Sequence, residues 1–161
     1  MSRDPGDPPR WLHRCRAGLF VVLVSCGQLP PTSSVVIPPV PAGAGRVWVY
    51  RNDYQYEADE TPYVRLNGQI AGIIQPNGVF YRDVAPGYYT VAVDSYGAPY
   101  PHQFAEFNLG AGQEAFVKVL SMREKVGGSE GAGLRTLFFT QLFPADAARA
   151  AIAGTPFYGG T

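Results

Sequence analysis

Five turn signals punctuate residues 46–113: Asn67-Gly68, Pro76-Asn77-Gly78, Ala85-Pro86-Gly87, the loop 97–101, and Gly110-Ala111-Gly112-Gln113. The runs they leave are short for helices and rich in β-branched and aromatic residues. Asn-Gly is the strongest short-range hairpin signal, because a tight two-residue turn needs positive φ at both positions. Strands are therefore predicted over 47–50, 63–66, 69–75, 79–84, 88–96, 104–109, 114–122 and 136–142. Within 88–96, Tyr89, Val91 and Val93 share one face, and Thr90, Ala92 and Asp94 share the other. That alternation predicts one core-facing side. In the seventh run, Val117 and Val119 oppose Phe116, Lys118, Leu120 and Met122. Residues 144–153 (PADAARAAIA) predict a short helix closed by Gly154, while 124–134 read as a glycine-rich loop and the tail has no predicted element.

Composition agrees with many short strands. The chain has 19 glycines and 15 prolines among 161 residues, and only 16% of its residues are charged. Helical bundles and coiled coils draw on Ala, Glu, Lys and Leu instead. Thirteen basic and thirteen acidic residues give a formal net charge of zero, which argues against nucleic acid as a partner. The fold expected is mainly β: a small antiparallel β-sandwich with a short C-terminal helix. Residues 46–153 suffice for one core without disulfides.

Both cysteines, Cys15 and Cys26, lie in the first 26 residues, so the sandwich has neither a disulfide nor a cysteine-based zinc site. Arg10, His13, Arg14 and Arg16 precede an uncharged apolar run at 17–24 (AGLFVVLV). A basic stretch followed by a short apolar one is the pattern of a secretory signal peptide, too short to span a bilayer. Asp4 and Asp7 are unusual ahead of such a run, and are expected if translation starts downstream of Met1. The next residues, Leu23-Val24-Ser25-Cys26, resemble a bacterial lipobox. The resemblance implies cleavage between Ser25 and Cys26 and lipid attachment on the Cys26 thiol. It also implies a membrane partner reached through that anchor, since two or three acyl chains hold far more firmly than one. Cys15 would leave with the signal peptide. The chain from Cys26 onward carries nine basic and eleven acidic residues, a net charge of −2, so it is no polybasic membrane binder. Residues 27–45 hold five prolines and no charge. They predict a semi-rigid spacer reaching roughly 60 Å when fully extended. The expected organisation is a signal peptide over 1–25, lipidated cysteine and tether over 26–45, sandwich over 46–153 and tail over 154–161.

Residues suited to catalysis are few. His102 is the one histidine after Cys26 and sits between Pro101 and Gln103 without a neighbouring nucleophile motif. Asp53, Glu57, Asp59 and Glu60 cluster with Tyr54 and Tyr56, but their spacing matches no calcium loop and reads as a solvated acidic loop. Gly127-Gly128-Ser129-Glu130-Gly131-Ala132-Gly133 lacks the lysine of a phosphate cradle. No enzymatic activity, cofactor or metal is expected. The ten tyrosines offer either ordinary sheet packing or, if several are exposed together, a binding patch.

Residues 46–93 also carry an ordered set of motifs: Tyr50-Arg51, Asn67-Gly68 with Ala71-Gly72-Ile73, Asn77-Gly78-Val79-Phe80-Tyr81, and Pro86-Gly87 with Val91-Ala92-Val93. Residues 109–119 (LGAGQEAFVKV) and the closing LFFTQLFPADAARAAI continue the series. The arrangement resembles bacterial envelope lipoproteins carrying domain of unknown function 2846. That resemblance implies a fold and an address without a reaction. Gly27, in place of aspartate after the lipidated cysteine, implies the outer membrane, with the domain facing the periplasm. The expected role is a non-catalytic structural or interaction module for an envelope protein. The alternative is a glycan or peptidoglycan binder using exposed aromatics, and an envelope enzyme built on the acidic loop comes third.

Overall fold

The computed structural model describes residues 28–52, 59–94, 103–128 and 131–161. Among the described residues, nine strands and one helix follow a short 3-10 turn at Thr32–Ser34. They are β1 (Gly45–Arg51), β2 (Tyr63–Leu66), β3 (Gln69–Ile73), β4 (Gly78–Val84), β5 (Gly87–Val93), β6 (Ala105–Leu109), β7 (Glu114–Gly128), β8 (Gly131–Phe143), α1 (Ala145–Ile152) and β9 (Phe157–Gly160). A five-stranded sheet in the order β8-β7-β1-β4-β9 faces a four-stranded sheet in the order β3-β2-β5-β6. The β-sandwich expected from the turn spacing is present.

The core follows from which residues can hide. Val47 and Val49 of β1, Val117 and Val119 of β7, and Phe80 of β4 point inward from the larger sheet. Val64, Leu66, Val91, Phe107 and Leu109 meet them from the smaller one. The other face of the larger sheet is also covered. Trp48, Tyr50, Tyr81 and Phe116 pack there under Ala148 and Ile152 of α1. All seven residues of β1 are buried, which is why this strand is apolar at successive positions. Helix α1 carries Asp146 in its first turn and Arg149 in its last, each favourable to the helix dipole. Arg149 pairs with Glu114, which also accepts a hydrogen bond from Trp48 Nε1 at 2.8 Å.

One edge of the sandwich is joined by a side chain. Thr140 Oγ1 on β8 donates to the Val91 carbonyl at 2.6 Å and accepts from the Ala105 amide at 2.8 Å. It thereby links the larger sheet to two strands of the smaller one. The Asn67-Gly68 turn behaves as predicted, with φ of 47° and 81°. Its Asn67 side chain reaches β5, accepting from the Thr90 amide and donating to the Tyr88 carbonyl.

Three expectations differ from the structure. First, the sandwich is not wholly antiparallel: β1 pairs with β7, and β4 with β9, in parallel. Second, 124–134 is no simple loop. The β7–β8 pairing runs on to Gly128 and Gly131, well past the last β1–β7 pair at Tyr50 and Lys118, as a two-stranded arm. Cross-strand partners such as Glu124 and Arg135 support it, and glycine is confined to its outer part. Third, the tail forms β9. A Cβ at Gly160 would lie 2.0 Å from the Tyr81 ring, so only glycine lets the chain pass there.

Thr140→Val keeps the shape and removes the hydroxyl, leaving a buried amide and carbonyl without this partner. A loss of about 1–3 kcal/mol is expected in urea unfolding, with Thr140→Ser recovering most of it. Gly160→Ala is expected to release β9 and expose Tyr81, read as increased accessibility of the tyrosine to solvent quenchers.

Candidate functional site

The stretch expected to be a spacer is bound to the domain from Pro30 onward. The Thr32 amide donates to the Thr155 carbonyl at 2.9 Å, and the Phe157 amide donates to the Pro30 carbonyl at 3.0 Å. Pro31 and Pro156 face each other between these bonds, at a pair position that exchanges none. Their missing N–H groups therefore cost this ladder nothing. Thr32 Oγ1 also donates to the Thr155 carbonyl at 2.7 Å, and the Ser33 amide donates to the Ala153 carbonyl at 3.0 Å. Ile37 then packs against the second core cluster. The segment is a strap laid antiparallel along residues 153–157, and it meets β9 itself at Phe157.

Arg46 closes the strap. Its Nε and Nη2 donate to both carboxylate oxygens of Asp83 on β4, at 2.7 and 2.8 Å, and its Nη1 donates to the Pro38 carbonyl at 2.8 Å. The guanidinium carbon stands 3.9 Å from the centroid of the Tyr81 ring, a cation–π contact. Arg46 is 2% exposed and Asp83 13%. The Asp83 hydrogen bond holds the Arg46 guanidinium above its ordinary pKa although burial opposes it. One side chain thus joins β1, β4 and the strap.

A second polar group closes the end of the sandwich beyond β1. Arg51, fully buried, donates from Nη1 to the Glu60 carbonyl at 2.8 Å and lies over the Phe138 ring. Glu60 accepts from Thr136 Oγ1 at 2.8 Å, and Asp59 stands 3.9 Å from Arg123. The Thr136 hydrogen bond, with Arg123 and Arg51 nearby, holds the Glu60 carboxyl below its ordinary value. A carboxylate held low and hydrogen-bonded is a poor general acid near neutral pH. Glu60 thus ties the segment ahead of β2 to β8, while Asp59 stands fully exposed beside Arg123. Among the described residues no group of three or more His, Cys, Asp and Glu side chains could hold a metal ion.

Arg82 is the third notable cation. It points between the sheets, donates to the Tyr81 carbonyl at 2.8 Å and lies over Phe80. Burial pushes its pKa below the ordinary value. A shallow crevice beside it is lined by Leu66, Ile70, Ala71, Val84 and Tyr89.

The remaining predicted positions separate. Ser25, Cys26, Cys15, His102, Asp53 and Glu57 lie outside the described residues. Tyr50 and Tyr81 are core, and Tyr89 packs half-buried against it. Tyr63 and Tyr88 are exposed on the outer face of the smaller sheet, where the Arg65–Asp94 pair also lies. Hydrogen bonding to Glu106 raises the Tyr88 phenol pKa. Tyr158 is exposed elsewhere, on β9. Among the described residues these three tyrosines form no continuous row. Sequence reading missed Arg46 as a clamp. The available signal was its place at the head of a strand apolar on both faces, where a cation must find a buried partner. No family model, curated protein or solved structure matches the chain.

Arg46→Met leaves the partly buried Asp83 carboxylate without its partner, and a cost of about 3 kcal/mol is expected in urea unfolding. The double variant Arg46→Met/Asp83→Leu should recover much of that loss. Because the Glu60 pKa is lowered in the folded chain, its contribution is present above the ordinary value of 4.5 and fades as pH falls through the lowered one. Glu60→Gln is therefore expected to lower stability at pH 7 and to flatten the acid decline below 4.5, followed as denaturant midpoint against pH.

Proposed function

We propose that this chain is a lipid-anchored lipoprotein of the bacterial cell envelope. Cys26 carries the lipid after cleavage behind Ser25, and the sandwich is a non-catalytic structural or interaction module facing the periplasm from the outer membrane. The observation that carries the reading is Leu23-Val24-Ser25-Cys26 directly behind a basic stretch and a short apolar run. The resemblance of residues 46–93 to envelope lipoproteins with domain of unknown function 2846 supports the same address. Among the described residues no helix is long and apolar enough to cross a membrane. Attachment through acyl chains accounts for membrane residence without one. A glycan-binding role would draw support from aligned exposed aromatics; among the described residues Tyr63 and Tyr88 stand apart from Tyr158.

Metabolic palmitate labelling with membrane fractionation tests this reading. Wild type is expected to carry label and to sediment with membranes, and Cys26→Ala to lose both. Label retained by Cys26→Ala, or an unlabelled and soluble wild type, would contradict it.

A further inference from the structure

Docking of the strap changes how far the domain can stand from its anchor. Only three residues lie between Cys26 and Pro30, the first residue hydrogen-bonded to the fold, a span of four Cα–Cα steps. Fully extended, they reach about 14 Å, against the roughly 60 Å of a free spacer through residue 45. A headgroup layer is itself roughly 5–8 Å thick on each side of a bilayer. The surface where the strap begins must therefore lie close to the lipid.

That surface has the chemistry for it. The strap start borders a shallow depression lined by Gln28, Leu29, Pro31, Asn77, Gly154, Pro156 and Tyr158. None of these residues is charged. Leu29 is 44% exposed and Tyr158 46%. An exposed leucine beside a tyrosine, whose ring is apolar and whose hydroxyl is polar, suits the boundary between headgroups and acyl chains. The backbone there is held by β4 and β9: the Val79 amide donates to the Pro156 carbonyl at 3.1 Å, and the Phe157 amide to the Pro30 carbonyl. The part of the patch formed by Pro31, Asn77, Pro156 and Tyr158 therefore belongs to the folded domain.

We propose that the uncharged surface around Leu29 and Tyr158 seats on phospholipid headgroups, holding the sandwich against the bilayer in one orientation. The proposal rests on the lipid-anchor reading above and adds a contact surface to it. The turn at Ala85-Pro86-Gly87, at the opposite end of β4 from Asn77, then faces away from the lipid together with Tyr88.

Tryptophan placed at each position tests this. Full-length Tyr158→Trp, Leu29→Trp and Tyr88→Trp proteins are purified from membranes. They are reconstituted into phosphatidylethanolamine–phosphatidylglycerol vesicles doped with brominated phosphatidylcholine. The emission added at 158 and at 29 is expected to shift to the blue and to fall roughly twofold, as for rings seated at the headgroup–acyl boundary. The emission added at 88 should not change. Leu29→Trp decides if Tyr158→Trp folds poorly beside Gly78. Membrane-bound protein without quenching at 29 and 158, or with equal quenching at 88, would overturn the seating and leave the anchor standing. Protein absent from membranes would overturn both.

Discussion

The buried guanidinium of Arg46 is the contact on which the rest of this structure most depends. It sits at the head of a strand covered on both faces, where an unpaired cation would be strongly unfavourable. Asp83 neutralises it with two hydrogen bonds, the Pro38 carbonyl takes a third, and the Tyr81 ring covers it. Satisfying this one group fixes the β1–β4 register at its strap-facing end and draws the proline-rich segment onto the sheet. Apolar burial drives the collapse, and the ion pair determines which segment covers which edge.

The same logic explains why the larger sheet is covered on both faces. Its inner face meets the smaller sheet through valines and phenylalanines, and its outer face needs a cover because Trp48, Tyr50, Tyr81 and Phe116 project there. Helix α1 supplies part of that cover and Ile37 of the strap adds to it. Residues at both ends of the sandwich domain thus complete one aromatic cluster. The parallel β4–β9 pairing follows, because a tail returning under α1 reaches β4 running in the same direction.

Much of the β architecture was legible from turn chemistry. Asn67-Gly68 and Asn77-Gly78 mark real turns, with both asparagines at positive φ, and β2, β4 and α1 fall close to their expected spans. These features are local, set by backbone preferences of a few residues. The missed features are long-range. The tail lacks a strand pattern of its own and is ordered by Gly160 passing the Tyr81 ring. The arm persists because each strand satisfies the other's backbone groups, which glycine-rich composition does not reveal. The strap looked like a spacer because proline disfavours helix and central strands. An edge ladder that needs no proline N–H still accepts it, and only the partner segment shows that. For the candidate site, the acidic loop was visible as a cluster. That Glu60 is engaged by Thr136 from β8 was not.

Residues 30–38 are part of the folded domain, bonded to it at Pro30, Thr32, Ser33 and Pro38. Native-state amide hydrogen exchange on the full-length protein reads this directly at Thr32, Ser33 and Phe157. Docking predicts protection at these three amides well above that of an unfolded segment, reduced by Arg46→Met while the β1–β7 amides stay protected in the sheet. Exchange of Thr32 and Ser33 at unfolded-chain rates in the wild type, with β1 still protected, would contradict it and return the segment to a free tether.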